Sequence, residues 1–77
     1  MNLNDLFTLK NIKIDQQITL GGMMIFKTEY FQITQWLVDN EVQYIFFCKH
    51  QNSFHYGLQF EELEHLIDKN KKLNNFR

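Results

Sequence analysis

The segment VQYIFFCKHQNSFHYGLQF, residues 42–60, decides the fold, because two β-forming runs in it flank a group of turn-forming residues. The Asn-Ser pair between the runs predicts a two-residue turn. That turn would place His50 directly opposite His55, and strand alternation would place Cys48 on the same face as His50. The segment therefore predicts a β-hairpin that gathers one thiol and two imidazoles in a single patch.

This patch has the chemistry of a structural zinc site. Thiolate and imidazole are ligands that Zn²⁺ prefers, and the chain has one cysteine and three histidines. Cys48, His50 and His55 are the predicted ligands, with His65 the weakest candidate for the fourth position. An acidic side chain, water or a group from a second chain are alternatives to His65. The other interpretation is a half-buried cysteine beside ordinary surface histidines.

Upstream of the hairpin, the sequence continues as strands and turns. Apolar residues alternate with polar ones over 12–20, and the glycines at 21–22 predict a turn. Residues 23–38 form too long a β-forming run for one strand, so we expect a bend at 27–29. The Asp-Asn pair at 39–40 predicts the next turn.

Downstream of the hairpin, the period changes to that of a helix. Leu63, Leu66 and Ile67 lie on one stripe, with carboxylates before them and lysines after them. The chain is thus predicted to be α+β, a small antiparallel β-meander of about four strands with one C-terminal helix packed on one face. Residues 1–11 favour either a single helical turn or an irregular docked arm.

The assumed hairpin register also predicts which face the helix covers. Ile45 and Phe47, together with Phe54, Tyr56, Leu58 and Phe60 across the hairpin, are predicted to form the helix-facing core. The Cys/His patch would then lie on the opposite face.

Composition limits the classes of protein that need to be considered. Seventy-seven residues with a formal charge of −1 indicate one domain, residues 1–77, and exclude a strongly basic nucleic-acid binder. A single cysteine favours a reducing compartment, and the chain has neither a secretory signal nor an apolar run long enough to span a membrane. We therefore expect a cytoplasmic protein, monomeric or homodimeric.

Two functional alternatives arise from the residues themselves. A cysteine–histidine nucleophile would need a substrate cleft and an oxyanion hole, for which so short a chain leaves little room. The many aromatic side chains could form a stacking platform for single-stranded nucleic acid, but the strands carry few cations. Core packing, or a protein-docking surface for any rings left exposed, accounts better for them, and no catalytic residue is predicted.

One resemblance rests on residues 31–36 (FQITQW), the strand over 42–50 and residues 56–63 (YGLQFEEL). This pattern is similar to the PC4 family of transcriptional coactivators that bind single-stranded DNA. The resemblance implies a four-stranded meander, then a short glycine-containing strand entering a helix. The family's basic strand residues are missing here.

A second resemblance rests on the opening MNLNDL, residues 1–6, on the small size and on the composition rich in Asn, Lys and Ile. These features resemble small anti-CRISPR proteins of phages and mobile elements that inhibit Cas9. The resemblance implies a non-enzymatic protein that blocks a host defence nuclease through a protein–protein surface. In that interpretation the zinc-bearing hairpin would hold the surface rigid.

Overall fold

The described part of the chain forms one antiparallel sheet with two helices. A computed structural model describes residues 2–74. Its elements are α1 (Leu3–Leu9), β1 (Gln16–Leu20), β2 (Met23–Lys27), β3 (Phe31–Val38), β4 (Glu41–Cys48), β5 (Ser53–Leu58) and α2 (Phe60–Asn74). The strands lie in the order β1-β2-β3-β4-β5, and every neighbouring pair is antiparallel. The predicted α+β meander with a C-terminal helix is confirmed, with five strands where about four were expected.

Two tight turns set the register of the first four strands. Gly21 has φ +58°, which suits the first position of the two-residue turn between β1 and β2. Asp39 and Asn40 have φ of +52° and +64°, so both central residues of the next turn lie in the left-handed region. This turn pairs Val38 with Glu41, and the pairing continues without interruption along both strands. Both predicted turns are confirmed.

The predicted bend between residues 23 and 38 is also confirmed, and Thr28 explains it. The buried Thr28 hydroxyl accepts hydrogen bonds from the backbone N–H groups of Tyr30 and Phe31, at 3.2 and 3.1 Å. The Thr28 N–H in turn donates to the Phe31 carbonyl at 2.9 Å. A threonine that satisfies the turn internally can be buried there, so β2 ends and β3 begins around it.

The N-terminal segment forms a helix of two turns. Asn2 and Asp5 form a capping box, in which each side chain accepts a hydrogen bond from the backbone N–H of the other. Leu3, Leu6 and Phe7 form the buried face of α1. The irregular arm considered from the sequence is therefore replaced by a capped, docked helix. The first strand begins only at Gln16, four residues later than predicted.

Both helices cover the same face of the sheet. Leu63 and Ile67 of α2 are completely buried in the core cluster that also contains the buried side of α1. From the sheet, this cluster takes Phe26, Phe31, Ile33, Tyr44, Phe46, Cys48 and Leu58. The strand registers place all of these sheet residues on one face, called here the covered face.

A charged contact joins the end of α1 to α2. The Lys10 ammonium lies 2.6 Å from Asp68 Oδ1 and 3.3 Å from Glu64 Oε2. The Lys71 ammonium donates a hydrogen bond to the Lys10 carbonyl, close to the end of α1. The two helices are thus held together at the rim of the core as well as through it.

The hairpin between β4 and β5 differs from its prediction in register and in face. Four residues, 49–52, form the turn, so that Cys48 pairs with Ser53 and Phe46 pairs with His55. The predicted two-residue turn at 52–53 is therefore wrong. The Lys49 backbone N–H donates to the Tyr30 carbonyl, which continues the β3–β4 ladder, and its ammonium donates to the Thr28 carbonyl.

The predicted orientation of this hairpin is wrong for four of the six residues expected to face the helix, whereas Leu58 lies in the core and Phe60 packs against it. Tyr44, Phe46 and Cys48 are buried on the covered face, whereas Ile45 and Phe47 lie on the other face. The reason is the register from the Asp39–Asn40 turn, which pairs the buried residues of β3 with the even-numbered residues of β4.

Candidate docking surface

The side of the sheet opposite the helices carries a broad apolar surface, called here the open face. Its members follow from the strand registers. They are Gln16, Ile18, Leu20, Met23, Ile25, Lys27, Gln32, Thr34, Trp36, Val38, Glu41, Gln43, Ile45, Phe47, Phe54 and Tyr56. No described element packs over this face, because α1 and α2 both contribute to the core on the other side.

Three aromatic rings lie in contact at one side of the open face. The ring centroids of Phe47 and Phe54 lie 4.5 Å apart, and those of Phe54 and Tyr56 lie 5.7 Å apart with an angle of 18° between the rings. Phe54 is 53% exposed and Tyr56 is 67% exposed. Rings held against one another but open to solvent can bury a large area on contact with a partner.

A β-bulge gives β5 this arrangement. The pairing of β5 with β4 shifts between His55 and Leu58, which oppose Phe46 and Tyr44 respectively. Gly57, with φ +62°, accommodates the extra residue. Without the bulge, Leu58 would follow Phe54 and Tyr56 onto the open face. With it, Leu58 returns to the core and leads directly into α2.

The open face is almost uncharged. Lys27 and Glu41 are its only charged members, one of each sign. At a strand spacing of about 4.8 Å and a rise of about 3.3 Å per residue, five strands of about six residues cover roughly 480 Å² in projection. Ten of the sixteen members are apolar, which leaves roughly 300 Å² of apolar area. Large apolar patches on monomeric proteins typically measure about 300–600 Å² and are often functional. The open face is therefore a candidate docking surface.

The structure brings two of the four predicted zinc ligands to the same place. Cys48 and His55 lie on the covered face of adjacent strands, and both line a cavity of about 90 Å³ beneath α2. Cys48 is 5% exposed, and its sulfur accepts a hydrogen bond from Asn70 Nδ2 at 3.3 Å. His55 is half-buried, with its ring centroid 6.2 Å from that of Phe46.

The other two predicted ligands lie elsewhere. His50 is exposed in the turn after β4, where its ring centroid lies 5.4 Å from that of Tyr30. His65 is exposed on α2, away from the buried stripe. Within residues 2–74, no three His, Cys, Asp or Glu side chains are grouped so that they could hold a metal ion. Zinc binding by the chain stays a prediction, which elemental analysis of the purified protein checks.

Among the described residues, two ionisable groups have shifted pKa values, and both lie on the helix side of the molecule. The hydrogen bond to Asp68 raises the pKa of Lys10; partial desolvation opposes this shift, and Glu64 adds to it. Burial raises the pKa of the Tyr44 hydroxyl, because the phenolate would have to lie in the core. Neither group faces the open side of the sheet, so these shifts concern stability.

Comparison of the chain with models of known protein families, with curated protein sequences and with solved structures gives no match. Neither helix in the described part of the chain combines the length and the apolar character that a helix needs to cross a lipid bilayer.

The open face could have been found from the sequence. Both faces of β4 are apolar, so alternation within that strand does not tell which one is buried. In β3, however, Phe31 and Ile33 alternate with Gln32 and Thr34. Extending the two-residue turn at 39–40 along the hairpin pairs Ile33 with Phe46. That register would have placed Phe47 on the exposed side.

Proposed function

We propose that this chain is a non-enzymatic binding protein that docks on a protein partner through the open face. The observation that carries the proposal is a nearly uncharged five-stranded face that no described element covers, with three aromatic rings in contact with one another. Aromatic residues are enriched in the centres of protein–protein interfaces, where charged residues are depleted. The buried, hydrogen-bonded thiol of Cys48 also argues against a cysteine nucleophile, because substrate could not reach it.

The partner that we propose is a host defence nuclease, Cas9. This choice rests on the likeness of residues 1–6 and of the composition to small anti-CRISPR proteins. A compact protein with a flat apolar face can inhibit a nuclease by occupying a surface that must move or bind nucleic acid. Such a mechanism needs no catalytic group.

The experiment is a guided Cas9 cleavage assay with and without the purified chain. We expect the wild-type chain to inhibit cleavage, and Tyr56→Ser to raise the half-inhibitory concentration at least tenfold. Leu37→Ser is the matched control, because Leu37 is 60% exposed but lies on the other side of the sheet from Tyr56. Cleavage that persists at large molar excess with several Cas9 variants would remove Cas9 as the partner. Equal effects of the two substitutions would remove the open face as the inhibitory surface.

A second candidate function is binding of single-stranded nucleic acid. The exposed rings of Trp36, Phe54 and Tyr56 on one sheet face favour it, because bases stack on such rings. The charge of the face favours a protein partner, since Lys27 is its only cation. A salt titration with an oligonucleotide separates the two candidates. Nucleic-acid binding gives a log–log slope of about −0.7 per phosphate neutralised, and no binding at low salt would exclude it.

A further inference from the structure

Among residues 2–74, strand β1 is a free edge of the sheet without the usual protection. It is the first strand in the sheet order, and four of its five residues are exposed. Its sequence, QQITL, contains no charge and no proline. Its five residues pair one-to-one with β2 without a bulge. Natural edge strands normally carry charges, prolines or bulges, because an unprotected edge pairs with another strand.

The opposite edge of the same sheet is protected. Strand β5 contains the bulge between its pairings with Phe46 and Tyr44, together with Gly57 at positive φ. It also ends directly at α2. The molecule therefore has one edge that resists strand addition and one that does not.

The turn between β1 and β2 determines which backbone groups of β1 point outward. A two-residue turn closes on a hydrogen-bonded pair, here Leu20 with Met23. Hydrogen-bonded and non-hydrogen-bonded pairs alternate along an antiparallel ladder. Ile18 therefore bonds to β2 as Leu20 does, and the N–H and C=O groups of Gln17 and Thr19 point away from the sheet.

We propose that β1 pairs in antiparallel fashion with β1 of a second copy of this chain, about a two-fold axis at Ile18. In this register Gln17 forms a hydrogen-bonded pair with the partner's Thr19, and Thr19 forms one with the partner's Gln17. The outward groups of the edge thus match those of an identical edge, and no like charges meet. This self-complementarity is the reason for a second copy as the occupant, and it holds independently of the proposed function.

Pairing at β1 joins two five-stranded sheets into one of ten strands. The two open faces become one continuous surface, with Ile18 and Leu20 of each copy at its centre. Pairing one short edge buries much less area than the roughly 1,600 Å² of a standard interface. The dimer is therefore weak, and its population depends on protein concentration.

Sedimentation velocity over a range of protein concentrations tests this dimer, and paired charges test its register. Gln17→Lys combined with Thr19→Lys places like charges opposite each other across the axis, so we expect the dissociation constant to rise at least tenfold. Gln17→Lys combined with Thr19→Glu places opposite charges there instead. We expect that variant to dimerise within threefold of the wild-type chain.

A thiol at the axis gives an independent readout. Residues facing each other in a non-hydrogen-bonded pair have Cα atoms about 4.5 Å apart, within the range of a disulfide. Oxidation of Ile18→Cys with diamide should link two chains, whereas Gln16→Cys, on the same strand and face, should not. Circular dichroism checks that each variant is folded.

Each of the following outcomes would contradict the proposed dimer. A chain that remains monomeric at millimolar concentration has no such dimer. A dimer that the double lysine variant leaves unchanged forms through another surface, and linkage at Gln16→Cys but not at Ile18→Cys places the axis elsewhere. The Cas9 assay tests Tyr56, which lies on β5 at the opposite edge of the sheet from β1. Its result therefore does not decide whether the β1 dimer forms.

Discussion

Asn70 links the sheet to helix α2 through a single buried amide. It is 4% exposed, and its Nδ2 donates to the sulfur of Cys48 at the end of β4. The helix thus fixes the position of the thiol as well as covering it. A cysteine held in this way behaves as a packed side chain with a weak acceptor, because reagents in solution do not reach it.

We therefore predict that Cys48 reacts slowly in the folded protein. A thiol reagent such as dithionitrobenzoate should react at least a hundredfold more slowly with the native chain than with the unfolded chain, since reaction requires local opening. Gln51→Cys provides the control, because residue 51 lies exposed in the turn after β4. That variant should show one fast thiol and one slow thiol. Two fast thiols would contradict the buried position of Cys48.

At the scale of the element, the bulge in β5 decides which side chains the strand exposes. It depends on Gly57, whose φ of +62° is unfavourable for residues with a Cβ. The space there is open, since a Cβ would meet only the Gln43 Oε1 atom, at 4.0 Å. Any cost of a side chain at this position is therefore backbone strain and not a clash.

Gly57→Ala should lower the free energy of unfolding by about 1 kcal/mol, from the cost of a left-handed backbone in a residue with a Cβ. Gly22→Ala is the matched control, because Gly22 has no atom within 4 Å of an added Cβ and does not have positive φ. It should be neutral or stabilise by about 0.4–1 kcal/mol, through the entropy of the unfolded chain. Urea unfolding of both variants measures the difference. Equal effects would mean that Gly57 is not strained by substitution.

The contact of Lys10 with Asp68 and Glu64 joins two elements, the end of α1 and α2. Since the folded protein raises the pKa of Lys10, its contribution is fully present below the unfolded value of about 10.4 and is lost as pH rises through the folded value. We expect Lys10→Met to cost about 0.5–1 kcal/mol at pH 7, in the range for pairs close to solvent. That difference from the wild-type chain should shrink above pH 10.5 in urea unfolding experiments. A difference that stays constant to pH 11.5 would show that the lost stability is not electrostatic.

The elements were predicted from the sequence to different extents, and the reason is physical. Turns at 21–22 and 39–40 were found because their residue types match the backbone they must adopt. The predicted turn after β4 is wrong because the Asp39–Asn40 turn directs the backbone groups of odd-numbered β4 residues to β3. Gln51 is odd-numbered and therefore cannot close a two-residue turn with Phe54. The predicted Cys/His patch required His50 to be in strand β4, on the same face as Cys48. In the structure, residues 49–52 form a turn and His50 lies in it.

At the scale of the whole molecule, both helices stabilise the fold from one side. A domain of this length has a free energy of unfolding of about 4–12 kcal/mol. Leu6 of α1 and Ile67 of α2 are both completely buried in the shared core. The N-terminal helix, which the sequence left undecided, is therefore a structural component and not an appendage.

Removing one buried leucine from α1 should thus affect the entire domain. Leu6→Ala should lower the free energy of unfolding by about 2–5 kcal/mol, through lost burial and a new cavity. Leu9→Ala is the matched control in the same helix, because Leu9 is 68% exposed, and it should change stability by about 0.5 kcal/mol or less. Thermal unfolding by circular dichroism measures both. Similar melting temperatures for the two variants would mean that α1 is not packed as described.

The position of Trp36 gives the protein an internal optical probe of its open face. It is the one tryptophan in the sequence, and it is 38% exposed on the side that the helices leave uncovered. Its fluorescence emission in the folded state should lie between that of a buried and that of a fully solvated indole, and unfolding should move it to longer wavelengths. Any molecule that covers the face should move the emission to shorter wavelengths, so that a spectrum can reveal occupancy without a label.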